Sequence, residues 1–178
     1  EVFHRIESKR LVKHGRDGQR RNGPNEQAVA IGRHAHDLFS RQVVGWSMQP
    51  HMQSSLVADA LKMAWFRRQP APGLIFHSDR GSQYCGHEFQ GTLAGYKMKS
   101  SMSRKGNCWD NAPTESLWGR LKVGRLYGQR FATRRQAMDE VIDWLTFYNH
   151  RRLHSTLGYV SPMQFEKRWD AAQQLKAA

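Results

Sequence analysis

The chain has 178 residues, enough for one domain with a small appendage and for a buried core. Lys and Arg total 28 against 15 Asp and Glu, a formal net charge of +13, so an acidic polymer, nucleic acid first, is the expected partner. Two cysteines, Cys85 and Cys108, make no disulfide framework and fit a reducing compartment, and neither a long apolar run nor a charged-then-apolar leader points to a membrane. The chain begins with Glu1 and is expected to be a piece of a longer product.

Residues 1–36 are basic, with Arg16, Arg20, Arg21 and Arg33, and are broken by Gly15, Gly18, Gly23 and Pro24. No apolar period of two or 3.6 is sustained there, and composition alone predicts a flexible basic arm. The texture changes at Asp37. Leu38 to Met48 reads as a strand, or as two short strands with a turn at Ser40-Arg41. Ser54 or Ser55 can cap a helix to about Arg68, with Leu56, Ala60, Met63 and Ala64 at helical spacing. Pro70 to Gly73 ends it. Gly73 to His77 is a short buried strand that delivers Asp79 at its carboxyl end. Strand, helix, strand implies a sheet with a crossover helix.

A helix is expected over 87–96, with Phe89 and Leu93 on one side, then a strand over Met98 to Met102 and a basic loop at Arg104-Lys105-Gly106-Asn107. The next helix starts near Asn111, tolerates Pro113 in its first turn and runs to about Val123. Over 134–150, Thr133 and Gln136 form a capping-box pattern, and Ala137, Val141, Trp144, Leu145 and Tyr148 make one apolar stripe. Arg151 and Arg152 follow at the end where cations suit the helix dipole, and a last helix covers roughly 163–175.

Two carboxylates stand out for chemistry. Asp79 lies at a strand end and Glu115 just inside a helix start. Mg²⁺ takes oxygen ligands, commonly one or two carboxylates with substrate phosphate, and phosphodiester transfer is well served by such ions. The two acids meet only if the helix packs across the strand's end. Spacing alone fits equally a turn Asp and a first-turn Glu favoured by the dipole.

The motifs are more specific. His77 to Tyr84, Ser101 to Cys108, Asp110 to Ala112, Glu115 and Leu121-Lys122 resemble the second-frame transposase of the insertion-sequence-three family. Phe147-Tyr148-Asn149, Arg152-Leu153-His154, Leu157-Gly158-Tyr159 and Ser161-Pro162 resemble its C-terminal pattern. Asp37 to Arg41 and Val44-Gly45-Trp46 resemble its middle, so the likeness runs from about Asp37 to Trp169. It implies an α/β, ribonuclease H-like fold shared with retroviral integrases, followed by C-terminal helices. It implies a catalytic Asp-Asp-Glu triad with Mg²⁺ or Mn²⁺, end nicking and strand transfer on insertion-sequence DNA. It also implies a homo-oligomer assembled on DNA in the bacterial cytoplasm. Asp79 matches the second acid and Glu115 the third. Lys122, seven residues past Glu115 and so on the same helix face, is a candidate phosphate contact. Arg104, Lys105 and Asn107 are candidates from their loop, and Arg151 and Arg152 are candidates that equally cap their helix.

The first acid is where the chain departs from the pattern. Relatives carry it on an early strand, which here falls in the aberrant segment, and Asp17 is a weak match among glycines and arginines. Asp37 matches a family position that is not catalytic. One expectation is that residues before about Asp37 are read out of frame, since Gly32-Arg33-His34-Ala35 can be encoded so that a one-base shift gives Ala-Val-Met-Leu. The organisation expected is then 1–36 as an aberrant or disordered basic segment, 37–169 as an integrase-like domain lacking its first strands, and 170–178 as a tail. The competing expectation for function is an inactive remnant that binds only DNA or intact transposase. His77, Cys85, His87 and Cys108 match no structural zinc spacing.

Overall fold

Successive residues of a strand face opposite sides of a sheet, and Val43 and Val44 are buried in two different cores. Both belong to β3 (Val43–Gln49) in the computed structural model, which describes residues 5–10, 31–49, 55–102 and 112–177. The other strands are β1 (Arg5–Arg10), β2 (Ile31–Asp37), β4 (Ile75–Ser78) and β5 (Lys99–Met102). The five form one sheet in the order β3-β2-β1-β4-β5. β2 is antiparallel to β1 and β3, whereas β4 is parallel to β1 and β5.

Parallel neighbours need long crossovers, and helices supply them. α1 (Ser55–Arg68) links β3 to β4, and α2 (Ser82–Cys85) with α3 (His87–Gly95) links β4 to β5. Val57, Leu61 and Ala64 of α1 and Phe89 and Leu93 of α3 cover Ala35, Val44 and Phe76 on one face. On the other, α4 (Ala112–Leu121) and α5 (Arg134–His150) bring Leu117, Trp118, Leu121, Val141, Trp144, Leu145 and Tyr148 against Val43. α6 (Pro162–Ala177) closes the chain and packs on α5. Helices on both faces of a mixed sheet, with further helices at the C-terminal end, are the α/β layers expected.

The helices form for the reasons their spacing gave. The capping box of α5 is present: the Gln136 amide donates to Thr133 Oγ1 at 3.2 Å and Thr133 N donates to Gln136 Oε1 at 3.3 Å. Asn149 near its end brackets Val43, donating to its carbonyl and accepting from its amide, both at 2.9 Å. That amide-sized fork fixes α5 against the strand at the sheet's edge. α4 stops at Leu121 and gives way to a π-helical turn, Lys122–Leu126, rather than continuing as α-helix to Val123.

Two differences lie at the front of the sheet. β1 and β2 fall inside the segment expected to be a basic arm, so the sheet holds strands that the sequence expectation left out. Ladder hydrogen bonds use backbone groups, so a strand can form where side chains carry no apolar period. The second difference is at Leu38-Phe39-Ser40, which is a turn and not the start of a strand. Asp37 Oδ1 accepts from Phe39 N at 2.9 Å, Asp37 N donates to Gln42 O at 2.8 Å, and Arg41 takes φ 62°.

Gly45 sets how closely α1 approaches β3. A Cβ there would overlap the Ala60 carbonyl and come within 2.7 Å of Ala64 N and 2.9 Å of Ala64 Cβ. These are backbone and helix-facing atoms that cannot swing away, so added volume must push α1 off the sheet. Gly45→Ala is therefore expected to cost about 2 kcal/mol or more, read as a lower urea midpoint, and an unchanged midpoint would show that the approach is loose.

Candidate active site

β4 ends with Phe76, His77 and Ser78 all buried. Phe76 meets Phe89 edge-on with centroids 5.4 Å apart, and His77 Nδ1 lies 3.0 Å from Ser101 Oγ on β5. The chain then leaves the sheet, and Asp79 stands half-buried at the carboxyl edge, where sites in α/β folds form. Its Oδ1 accepts from Gly81 N at 2.9 Å. A Cβ on Gly81 would sit 2.9 Å from that oxygen, so glycine is what lets the amide hold the carboxylate. This is a self-made turn that orients Asp79.

Glu115 is the fourth residue of α4, and α4 lies against β1, the strand beside β4. The helix is seated by Leu117, Trp118 and Leu121, and the Trp118 ring meets buried His34 edge-on at 4.5 Å. The helix therefore lies on β1, the strand next to the one that delivers Asp79. Lys122 is exposed at the first position of the π-helical turn, where its carbonyl accepts from Tyr127 N at 2.7 Å. β1 adds an acid that sequence reading passed over: Glu7 is in register with His36 on one side and with His77, two residues short of Asp79, on the other. Its only signal is that register, which needs the fold to be seen.

Arg104, Lys105 and Asn107, and the weak candidate Asp17, lie outside the described residues. Arg151 is exposed at the end of α5, its amide donating to Phe147 O at 2.8 Å. Arg152 is half-buried, with its guanidinium 5.4 Å from the Tyr148 ring centroid and 2.8 Å from His154 Nε2. Among the described residues, no group of three or more His, Cys, Asp and Glu is placed to hold a metal. No helix among them is long and apolar enough to cross a membrane.

Burial dominates the electrostatics beside α5. His36 is 1 % exposed, and its Nε2 is 2.9 Å from the Arg41 carbonyl. Loss of hydration pushes its pKa down to about 4, against that hydrogen bond, which favours the charged ring. His154 is likewise lowered to about 4, first by burial and then by the charge of Arg152. Burial pushes Tyr148, between them, up to about 12.

The chain is similar to known proteins. Two family profiles, both described as an integrase core domain, match residues 30–108 and 96–162. The transposase for insertion sequence element IS904 of Lactococcus lactis is 47% identical over 132 residues, which is 74% of this chain and 52% of that protein. Transposase InsF for insertion sequence IS3A of Escherichia coli is 44% identical over 133 residues, 74% of this chain and 46% of that protein. The chain thus spans about half the length of the curated relatives it matches. Among solved structures, a chain of the simian T-cell lymphotropic virus intasome superposes with a TM-score of 0.68 at 15% identity, covering 92% of this chain and 54% of that one. The HTLV-2 integrase catalytic core in complex with magnesium superposes with a TM-score of 0.62 at 14% identity, covering 92% and 95%. The ribonuclease H-like fold of retroviral integrase cores is therefore the fold of this chain.

The buried histidines make stability depend on pH. An unfolded His36 binds a proton below about 6.5 and the folded one only near 4, so the unfolded state holds more protons in between. Stability is full above pH 6.5 and falls as pH drops toward 4, by about 3 kcal/mol for His36 alone. Urea midpoints measured between pH 7.5 and 4.5 are expected to fall steadily, and a flat profile would place a solvated, not buried, ring at His36.

Proposed function

The chain belongs to the insertion-sequence-three family of transposases, with an integrase core, and on that premise we propose that it cuts and joins DNA by metal-dependent phosphoryl transfer. Asp79 and Glu115 hold the metal, Mg²⁺ or Mn²⁺, and Glu7 is the candidate for the first acid. The observation that carries this reading is the meeting of three elements at β1: the parallel strand that delivers Asp79 on its flank, the helix that bears Glu115 on its face, and Glu7 within it. All three supply hard carboxylate oxygens, the donor type these ions take. When bound, the metal would activate the attacking oxygen and steady the leaving one.

The chain's own residues supply the rest. The Gly81 amide keeps Asp79 aimed out of the sheet edge. Lys122, exposed where α4 ends, neutralises a backbone phosphate, and Arg104, Lys105, Asn107 and Arg151 extend that grip. The net charge of +13 supports a polyanionic substrate, and assembly of several copies on the insertion-sequence ends is part of the same reading. Its setting is the bacterial cytoplasm.

A second reading, an inactive remnant that binds DNA or intact transposase, has one observation in its favour. Arg33, His34 and His36 of β2 are all buried, at 5 %, 0 % and 1 % exposure, where a sheet core takes apolar side chains. Out-of-frame translation ahead of Asp37 accounts for ionisable residues there, and the coding DNA decides it: a one-base shift must yield an apolar strand preceded by one bearing an aspartate.

Activity separates the two readings. The chain, incubated with a labelled insertion-sequence end and Mg²⁺, is expected to nick it, and Glu115→Gln and Asp79→Asn are each expected to lower the rate at least about a thousandfold, as removal of a metal ligand does to transfer chemistry. Glu7→Gln matching that loss assigns the first acid to β1. Metal-independent nicking, or nicking unmoved by Glu115→Gln, sinks the proposal.

A further inference from the structure

Several arginines sit beside carboxylates. Arg68 pairs with Asp37 and Glu166, Arg125 with Glu140 and Asp143, and Arg135 with Asp139. Three others gather without one. Arg41 comes from the β2–β3 turn, Arg120 from the last turn of α4, and Arg152 from the segment after α5. Arg41 and Arg152 meet one group of side chains, and Arg120 directly precedes Leu121, which is buried in the same cluster as Tyr148. Arg152 lies over the Tyr148 ring, Tyr148 meets His154 edge-on at 4.9 Å and His36 at 6.3 Å, and His36 is bonded to the Arg41 carbonyl. The charges of Arg41 and Arg120 are both felt at Tyr148 and His154, and that of Arg120 also at Arg152. Among the described residues none of the three is paired with a carboxylate.

Positive charges gathered around one ring repel one another, and the two histidines beside them stay neutral rather than add to the charge. Arg152 is held below its ordinary range, first by burial and next by Arg120. Such a gathering is unfavourable in the free protein and becomes favourable when an anion sits in it. Planar guanidinium forks match phosphate oxygens in particular.

We propose that Arg41, Arg120 and Arg152 form a seat for a backbone phosphate of DNA, separate from the candidate acids. The seat rests on the reading of the chain as a DNA-acting domain and extends it. It lies toward the far end of the sheet from Asp79. Asp37, where β2 ends, is in register with Ile6, and Ile6 with Phe76. Asp79 is three residues further along β4 in one direction, about 10 Å at the rise of a strand, while the turn bearing Arg41 continues in the other. DNA touching both places must therefore span at least about three base pairs, at about 3.4 Å each. Arg120 is mostly solvent-facing and Arg152 half-buried, so the seat is open on the side where a duplex would lie.

The test is the salt dependence of duplex binding by the full chain, compared for wild type, Arg41→Gln/Arg120→Gln and the control Lys62→Gln/Arg135→Gln, which removes two exposed charges elsewhere. Each lost phosphate contact lowers the slope of log K against log salt by about 0.9. The seat variant is expected to lose nearly two units of slope and to weaken binding uniformly across sequences, while the control loses less than half a unit. Equal slopes for seat variant and control overturn the seat. Arg120→Gln alone, on an exposed helix surface, repeats the measurement without risk to the Arg41 turn, and should lose about one unit. A second arm follows the melting temperature with inorganic pyrophosphate. A rise in wild type that is absent in the seat variant supports the seat, and equal rises overturn it. Should wild type bind no duplex at all, the DNA-acting reading fails, and the pyrophosphate arm alone judges whether the anion seat exists.

Discussion

β1 is the strand on which the rest of the sheet depends. β2 and β3 lie on one side of it and β4 and β5 on the other, and no other strand joins the two halves. Arg5–Arg10 must therefore donate and accept along both edges, antiparallel to β2 and parallel to β4. The same strand receives α4 on its face. Position of Asp79 relative to Glu115 is thus a property of six residues that contain neither. A change that frees β1 would separate β4 from β2, leave a pair of strands without its neighbours, and take the candidate acids apart together.

The middle of the chain is tied down by a polar knot together with ring contacts. Arg68, at the end of α1, reaches Asp37 at 3.3 Å and also Glu166 of α6, and its Nη2 lies near Ser40 and Gln42 in the turn. Phe39 adds rings at 5.2 Å from Phe165 and 5.5 Å from Trp169. The Asp37-Leu38-Phe39-Ser40-Arg41 motif therefore docks the C-terminal helix and shapes a turn. Its aspartate is 3 % exposed and paired with Arg68. A buried pair of this kind adds little net stability over an apolar replacement, but it fixes which elements meet.

What could be read in advance follows from where side chains, and where only backbone, make the structure. α1, α3, α5 and β4 were legible because their apolar residues fit the period of the element, and α5 also carries the capping box of Thr133 and Gln136. Asp79 was legible as the residue just past an apolar run, and Glu115 as an acid in a helix's first turn. β1 and β2 were not. A strand between two others usually reads as a continuous apolar run, yet β1 has one apolar residue, Ile6, and β2 carries Arg33, His34 and His36. Their pairing is backbone hydrogen bonding, which composition does not report. Glu7 was missed for the same cause, since only the register with His77 gives it meaning. The guanidinium gathering was hidden too, because its members come from a turn, a helix and a loop far apart in sequence.

α4 connects the two charged regions. Its first turn carries Glu115 and its last turn Arg120, five residues on and so about 7.5 Å along the axis. Leu117, Trp118 and Leu121 between them are buried, which fixes the helix in both rotation and height on the sheet. At its far end the π-helical turn is held to α5 by Arg125, bonded to Glu140 at 3.0 Å and near Asp143 at 3.5 Å. A helix clamped at its middle and at one end cannot shift its acid without shifting its cation. A duplex seated on Arg120, Arg41 and Arg152 would therefore be held at a set distance from the carboxylates, and the grip on DNA and the placement of the scissile bond become one geometric constraint. The π-helical turn ends α4 at Leu121 and brings Arg125 to α5.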